Sequence, residues 1–267
     1  MTVYDGPVDS IRARAASVLI GLATAFVVVA VVLPLFLNPV WVAFEQGRAQ
    51  ATAWTGFTEP ELRAATDSIL ADLVLGPPDF DVAVAGTPVL NERERGHMRD
   101  VRGVFIGFFR VALVLAVGAF IVAARRRGAG RARTWRAVRG GAVALIAALA
   151  VGGVVSVVAF DTLFEVFHEI FFAGGSYTFD PATERLVQLF PFQFWQETAI
   201  VVGAVCVVLA AAVAVIAHLR AAAAVAAVAS ATGARAERDG PVDSIRARAA
   251  SVLIGLATAF VVVAVVL

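Results

Sequence analysis

The sequence predicts an all-α membrane protein: a bundle of four transmembrane helices with two extracytoplasmic loop regions. A C-terminal segment that copies the first span is a candidate fifth helix. Three observations carry this. Of the 267 residues 60% are hydrophobic and 16% charged, with a mean hydropathy of +0.84. A soluble domain is about 45–50% apolar and about 25% charged, so a soluble enzyme is excluded, and so is disorder. Second, four apolar runs reach the roughly 20 residues that a helix needs to cross a hydrocarbon core of about 30 Å. Third, one loop between two of the runs holds seven Arg and no acid, which gives the chain an orientation.

The four runs are 17–37, 103–124, 140–160 and 198–219, the second interrupted by Arg110. None shows the alternation of a barrel strand, and backbone groups in lipid must bond within their own segment, so helices are expected. The first run is too long for a cleavable apolar region of about 7–15 residues and no small-x-small site follows it. An uncleaved span is therefore expected. Residues 125–139 hold seven Arg and no acid, which places this loop in the cytoplasm. The N-terminus, 1–16, with Arg12 and Arg14, then also lies inside. Loops 38–102 and 161–197 lie outside, with ten acids against six Arg and six acids against one. The membrane domain runs over 17–220, followed by an Ala-rich linker, 221–238.

Composition narrows the chemistry further. All 22 basic residues are Arg, and the net charge of +1 gives no electrostatic footprint for nucleic acid. Cys206 stands alone in an apolar run, so neither a disulfide framework nor a Cys zinc cage is expected. Residues 239–267 repeat 5–33 without one change over 29 residues. A recent duplication or an artefact of sequence assembly is the simpler reading. As a fifth span its apolar part, 251–267, would be about 25 Å of helix, marginal for crossing. It could then compete for the first span's packing slot and give swapped oligomers.

Two loop segments carry candidate chemistry. In 91–101 (NERERGHMRDV), Asn91 is a good N-cap and Glu94 completes a capping box, so the second span is expected to begin as a helix well before its apolar part. His97 and Asp100 are three apart and share a face. His97 lies about 9 Å above the apolar stretch. In 161–195, Asp161, Glu165 and His168 fall at i, i+4 and i+7 on one stripe of a continuing helix. Phe160, Phe164, Phe167 and Phe171 form a neighbouring stripe, and Gly174-Gly175 ends the helix. His168 stands about 10 Å above the apolar core. Two imidazoles at lipid-ester depth, each with a carboxylate able to fix its tautomer, suit acyl transfer on a lipid.

Blander roles compete at each position. A single interfacial His is an amphipathic anchor, and the Phe stripe reads as packing. Trp41 and Trp195 read as aromatic-belt residues. His218, beside Arg220, reads as an end-cap. Arg110 lies about 10 Å inside its span, where an ionisable residue is a functional candidate. It is expected to snorkel, to pair with Asp161, Glu165 or Glu197, or to contact a substrate headgroup or oxyanion.

HMRDV at 97–101, FHEIFF at 167–172 and YTFDPATERLVQLFPFQFW at 177–195 resemble the lipoprotein intramolecular transacylase (Lit) family of integral membrane proteins. The resemblance covers roughly residues 15–220, in order and spacing, with four spans. Tyr177 stands where a Trp is expected, and Phe192 follows Pro191 where an acid is common. The resemblance implies a multi-pass protein of the bacterial cytoplasmic membrane with its site facing outside. It implies that the sn-2 acyl chain of a lipoprotein's diacylglyceryl group moves to the N-terminal Cys amine, leaving the lyso form. The partners implied are membrane lipid and the diacylated lipoprotein, and the family's two essential His residues fall on His97 and His168.

The residues suit that reaction. Both reacting groups belong to one molecule, so little entropy is lost and no cofactor is required. The amine has a reference pKa of about 7.7–8.0, and an imidazole can free it while another protonates the departing alkoxide. Which His does which stays open. Asp100, Glu165 or Glu169 would orient the rings; Arg99, Arg102 or backbone N–H groups are oxyanion candidates. Tyr177 and Trp195 are supporting residues. Without a Ser or Cys nucleophile evident, apart from nearby Ser176, direct transfer is favoured. A metal-dependent hydrolase using His97, Asp100, Glu165 and His168 is the first alternative. A non-catalytic membrane protein is the second, and a proton-coupled transporter fits less well.

Overall fold

The computed structural model describes residues 7–172 and 174–237, so the copied segment 239–267 lies outside the described residues. The elements are α1 (Pro7–Val32), α2 (Pro39–Arg48), α3 (Ala51–Thr55), α4 (Glu59–Val74), β1 (Ala83–Val84), β2 (Thr87–Pro88), α5 (Glu92–Arg125), α6 (Ala129–Val158), α7 (Phe160–Phe171), α8 (Arg185–Leu189) and α9 (Phe192–Glu237). Four helical stretches are long and apolar enough to cross a membrane: Ile11–Leu35, Glu92–Arg125, Ala129–Val158 and Phe192–Thr232. The chain is a multi-pass membrane protein, and its described residues are predominantly helical.

Its described part forms two compact units, one of 32–111 with 147–207, the other of 7–31 with 112–146 and 208–237. In the first, the loop region 38–102 is a small domain. Asn38 caps α2 by accepting from Val40 N at 3.0 Å and Trp41 N at 3.1 Å. Thr58 N donates to Glu61 Oε2 at 2.9 Å in a capping box that starts α4. The apolar faces of these helices meet Phe80, Val82, Met98, Leu186 and Leu189 in one core, with Phe80 and Leu189 fully buried. Gln46 spans that core, its Nε2 donating to Thr66 Oγ1 at 3.0 Å and to Leu189 O at 2.9 Å.

The strand pair is an antiparallel hairpin whose turn, Ala85-Gly86, has positive φ at both residues (49° and 78°). Such turns usually carry Asn or Asp first; Ala85 hides this one in the sequence. Two further differences from the sequence reading have local causes. The third span does not continue smoothly into its polar stripe: Ala159, at φ −152° and ψ 48°, separates α6 from α7. The Ala-rich stretch read as a linker is helical through Glu237, as the high helix propensity of Ala allows. His218 therefore lies in mid-helix rather than at an end, and is exposed.

In the second unit, α1 and α6 approach closely through glycines. A Cβ on Gly141 would stand 2.6 Å from the Gly21 Cα and closer still to its carbonyl oxygen. Small residues let helices in lipid touch backbone to backbone, where apolar side chains gain nothing over lipid. Ala142, Ala210 and Ala217 are likewise fully buried.

Candidate functional site

The start of α5 positions the first imidazole. Asn91 Oδ1 accepts from Glu94 N at 3.0 Å, and Glu94 Oε2 accepts from Asn91 N at 2.7 Å, so the capping box seen in the sequence forms. Glu94 does more: its Oε1 accepts from Leu186 N at 2.6 Å, and its side chain is fully buried. A carboxylate thus stands at the N-terminus of α8, where the helix dipole favours it. Arg93 holds Glu184, Nη2 to Oε1 at 2.7 Å, and its guanidinium lies 4.9 Å over the Phe179 ring. These ties fix the 179–189 segment against the turn of α5 that carries His97.

His97 and His168 meet. Their rings are nearly parallel, 22° apart in plane, with centroids 5.9 Å apart, and both residues are buried. Phe172 touches both, at 4.8 Å from His97 and 5.3 Å from His168. Phe179 packs edge-on to His97 at 5.4 Å, Phe164 lies 4.1 Å from His168, and Tyr177 lies 5.0 Å from it. The pair sits in an aromatic cage drawn from α7 and from Phe172, Tyr177 and Phe179.

Electrostatics follow from burial. Both imidazoles are shifted down, so both are neutral at pH 7. His97, on the polar part of α5 ahead of the apolar stretch, is pushed down to about 4, first by burial and then by its neighbour His168. Burial lowers His168 too, but its Nδ1 lies 2.7 Å from the Phe164 carbonyl oxygen, which pulls the other way. A carbonyl can only accept, so Nδ1 carries the proton and Nε2 presents a lone pair. His97 Nδ1 is buried without a hydrogen-bond partner.

Of the expected supporting residues, Tyr177 packs on His168, while the others fall elsewhere. Asp100, Glu165 and Glu169 are exposed, and among the described residues no carboxylate holds either ring: a backbone carbonyl orients His168, and Nδ1 of His97 has no partner. Glu169 and Glu165 act instead on Tyr177, whose hydroxyl is pushed up, by burial first and then by their charges. It therefore stays a donor. Arg99 donates to Glu92 at 2.9 Å, and Arg102 donates to the carbonyls of Asp72 and Gly76 at the end of α4. Both oxyanion candidates are thus engaged. Arg110 is exposed and makes no ion pair among the described residues; Glu197, a partner expected for it, is held by Arg48 Nε at 2.6 Å. Trp195 packs on Phe164, Phe190 and Phe194 rather than on either His. No group of three or more His, Cys, Asp or Glu that could hold a metal ion occurs among the described residues. The sequence reading missed Phe172 and Phe179 as cage walls and the Phe164 carbonyl as a ring partner.

The buried ring makes a pH signature. Between pH 6.5 and about 4, an exposed imidazole takes a proton that His97 refuses, so the folded unit loses stability as pH falls through that window. Glu45 opposes this. Burial, and next Glu197, push its carboxyl from 4.5 up to about 7, so it gains stability as pH falls between those values. Thermal melts in detergent at pH 7 and 4.5 are therefore expected to drop less for His97→Phe than for the wild type. Parallel profiles would show that His97 titrates as a free imidazole.

The sequence profile of the family described as lipoprotein intramolecular transacylase Lit matches residues 17–195. No curated protein matches the chain. Among solved structures, the membrane-integral lipoprotein intramolecular transacylase Lit from Bacillus cereus aligns at TM-score 0.63 and 15% identity, over 79% of this chain and 96% of that one. The same protein with a histidine-to-alanine substitution gives TM-score 0.57 at 16% identity, over 79% and 94%. A histidine-to-arginine form gives 0.56 at 15%, over 86% and 97%. These likenesses show the fold, while the profile match runs through both histidine segments and covers well over half of the sequence. The chain belongs to the lipoprotein intramolecular transacylase (Lit) family.

Proposed function

We propose that this transacylase moves the sn-2 acyl chain of a diacylglyceryl lipoprotein onto the α-amine of its N-terminal Cys, with His97 and His168 as the acid–base pair. The observation that carries this is the pairing of two neutral, buried imidazoles 5.9 Å apart in an aromatic cage. The amine nitrogen attacks the ester carbonyl carbon, and its proton goes to His168 Nε2, the lone pair left by the bond to Phe164. The C–O bond to glycerol then breaks, and the proton returns to the glyceryl oxygen by way of His97. A ring held at about 4 is a weak base, so its protonated form gives up a proton readily. Amide replaces ester, and no water is consumed. Excluding water suits this step, because hydrolysis of the same ester competes with transfer.

The Arg-rich loop 125–139 favours an orientation with that loop in the cytoplasm. The site then faces the outer leaflet of the bacterial cytoplasmic membrane, where diacylated lipoproteins stand. Mass spectrometry of a lipoprotein N-terminus from cells with and without this gene tests the reading. An acyl chain on the amine with a single chain left on glycerol should appear only where the gene is present; two chains on glycerol and an unacylated amine in both samples reject the reading.

A further inference from the structure

The structure assigns a third catalytic group: we infer that the Ser176 hydroxyl donates a hydrogen bond to the oxyanion formed at the ester carbonyl. This rests on the transacylase reading above. Among the described residues, three buried side-chain polar atoms lack a hydrogen-bond partner: Glu45 Oε1, His97 Nδ1 and Ser176 Oγ. The first faces Arg48 Nε at 3.7 Å in an ion pair. His97 Nδ1 belongs to the histidine pair, and Ser176 immediately precedes Tyr177, whose ring centroid lies 5.0 Å from that of His168. A buried polar atom left bare in a folded protein marks where a ligand or water bonds.

Position supports the assignment. Gly175, at φ +84°, turns the chain just ahead of Ser176, a conformation that side chains rarely adopt. The next residue, Tyr177, sets its ring tilted against His168 at 5.0 Å, and Phe179 meets His97 edge-on at 5.4 Å. Ser176 thus lies in the segment whose next residues pack on both imidazoles. The lack of a bond to either imidazole separates two roles. A nucleophilic Ser is activated through a hydrogen bond to its base, and this one has none. Its O–H is free to donate. When the amine nitrogen bonds to the carbonyl carbon, the carbonyl π pair moves onto oxygen, and the Ser176 hydrogen stabilises that charge while staying on Ser176. When the C–O bond to glycerol breaks, the carbonyl re-forms and the donor is released.

The test uses the full chain in mixed micelles with a synthetic diacylglyceryl-Cys peptide bearing a free amine. Ser176→Ala is expected to lower kcat about 10²-fold with little change in KM, the loss typical of one oxyanion donor. Ser176→Thr, which restores the hydroxyl, should recover most of it, and all forms should melt alike. Activity of Ser176→Ala within about threefold of wild type, alongside inactive His97 and His168 variants, overturns the donor role alone. An acyl group trapped on Ser176 also overturns it, by making this residue the nucleophile. A wild-type protein that forms no lyso product overturns the transacylase reading and this inference together.

Discussion

His168→Asn is expected to lower transacylation about 10²–10⁴-fold while the protein still folds and inserts, the range typical of a lost general base. The choice of Asn isolates the chemistry. Its amide can still donate to the Phe164 oxygen now bonded at 2.7 Å by Nδ1, but it has no counterpart of Nε2. His97→Asn should cost a similar factor, because the proton taken at one ring must leave by the other. Residues acting as a unit are not additive, so the double variant should be no slower than the worse single one. The measurement is lyso product formed per unit time, with melting temperature as a control. Losses that multiply in the double variant would show two independent roles.

Gly141→Ala is expected to destabilise the α1–α6 contact by about 1–3 kcal/mol, the usual cost of forced overpacking. The new methyl would meet the Gly21 backbone at 2.6 Å and less, which neither helix relieves by a rotamer change. The reverse substitution gives the contrast. A Cβ on Gly21 meets Ala137 O at 3.5 Å and the Gly141 Cα at 3.6 Å, ordinary contacts, so Gly21→Ala should be nearly neutral. Detergent-solubilised melts compare the two directly. Equal shifts would mean that the crossing is looser than the atoms place it.

Much of this architecture was legible in the chain. The spans follow from apolar length, and the Asn91–Glu94 box follows from a local rule that operates within one turn. The convergence of His97 and His168 was legible only as matching depth; their contact depends on packing that no local pattern encodes. Asp100 shows why the ring partners were misread. The buried face of α5 is set by Glu94, His97 and Met98, and a residue three beyond His97 falls at its edge, in solvent. His168 is oriented by a main-chain carbonyl, which every residue possesses and no sequence marks. Arg102 looked available because the α4 carbonyls that hold it come from Asp72 and Gly76, well before it in the chain. The break at Ala159 has neither Gly nor Pro to announce it.

The unbroken helix between His97 and the apolar stretch at 103 acts as a gauge of both height and bearing. One residue inserted there would lift the imidazole only about 1.5 Å yet swing it by about 100°, out of its aromatic enclosure. Changes in this segment should thus be tolerated as exchanges of side chain but not as changes of length. An enzyme whose substrate is anchored in a lipid sheet can lose its reaction by miscounting a single step of the stair.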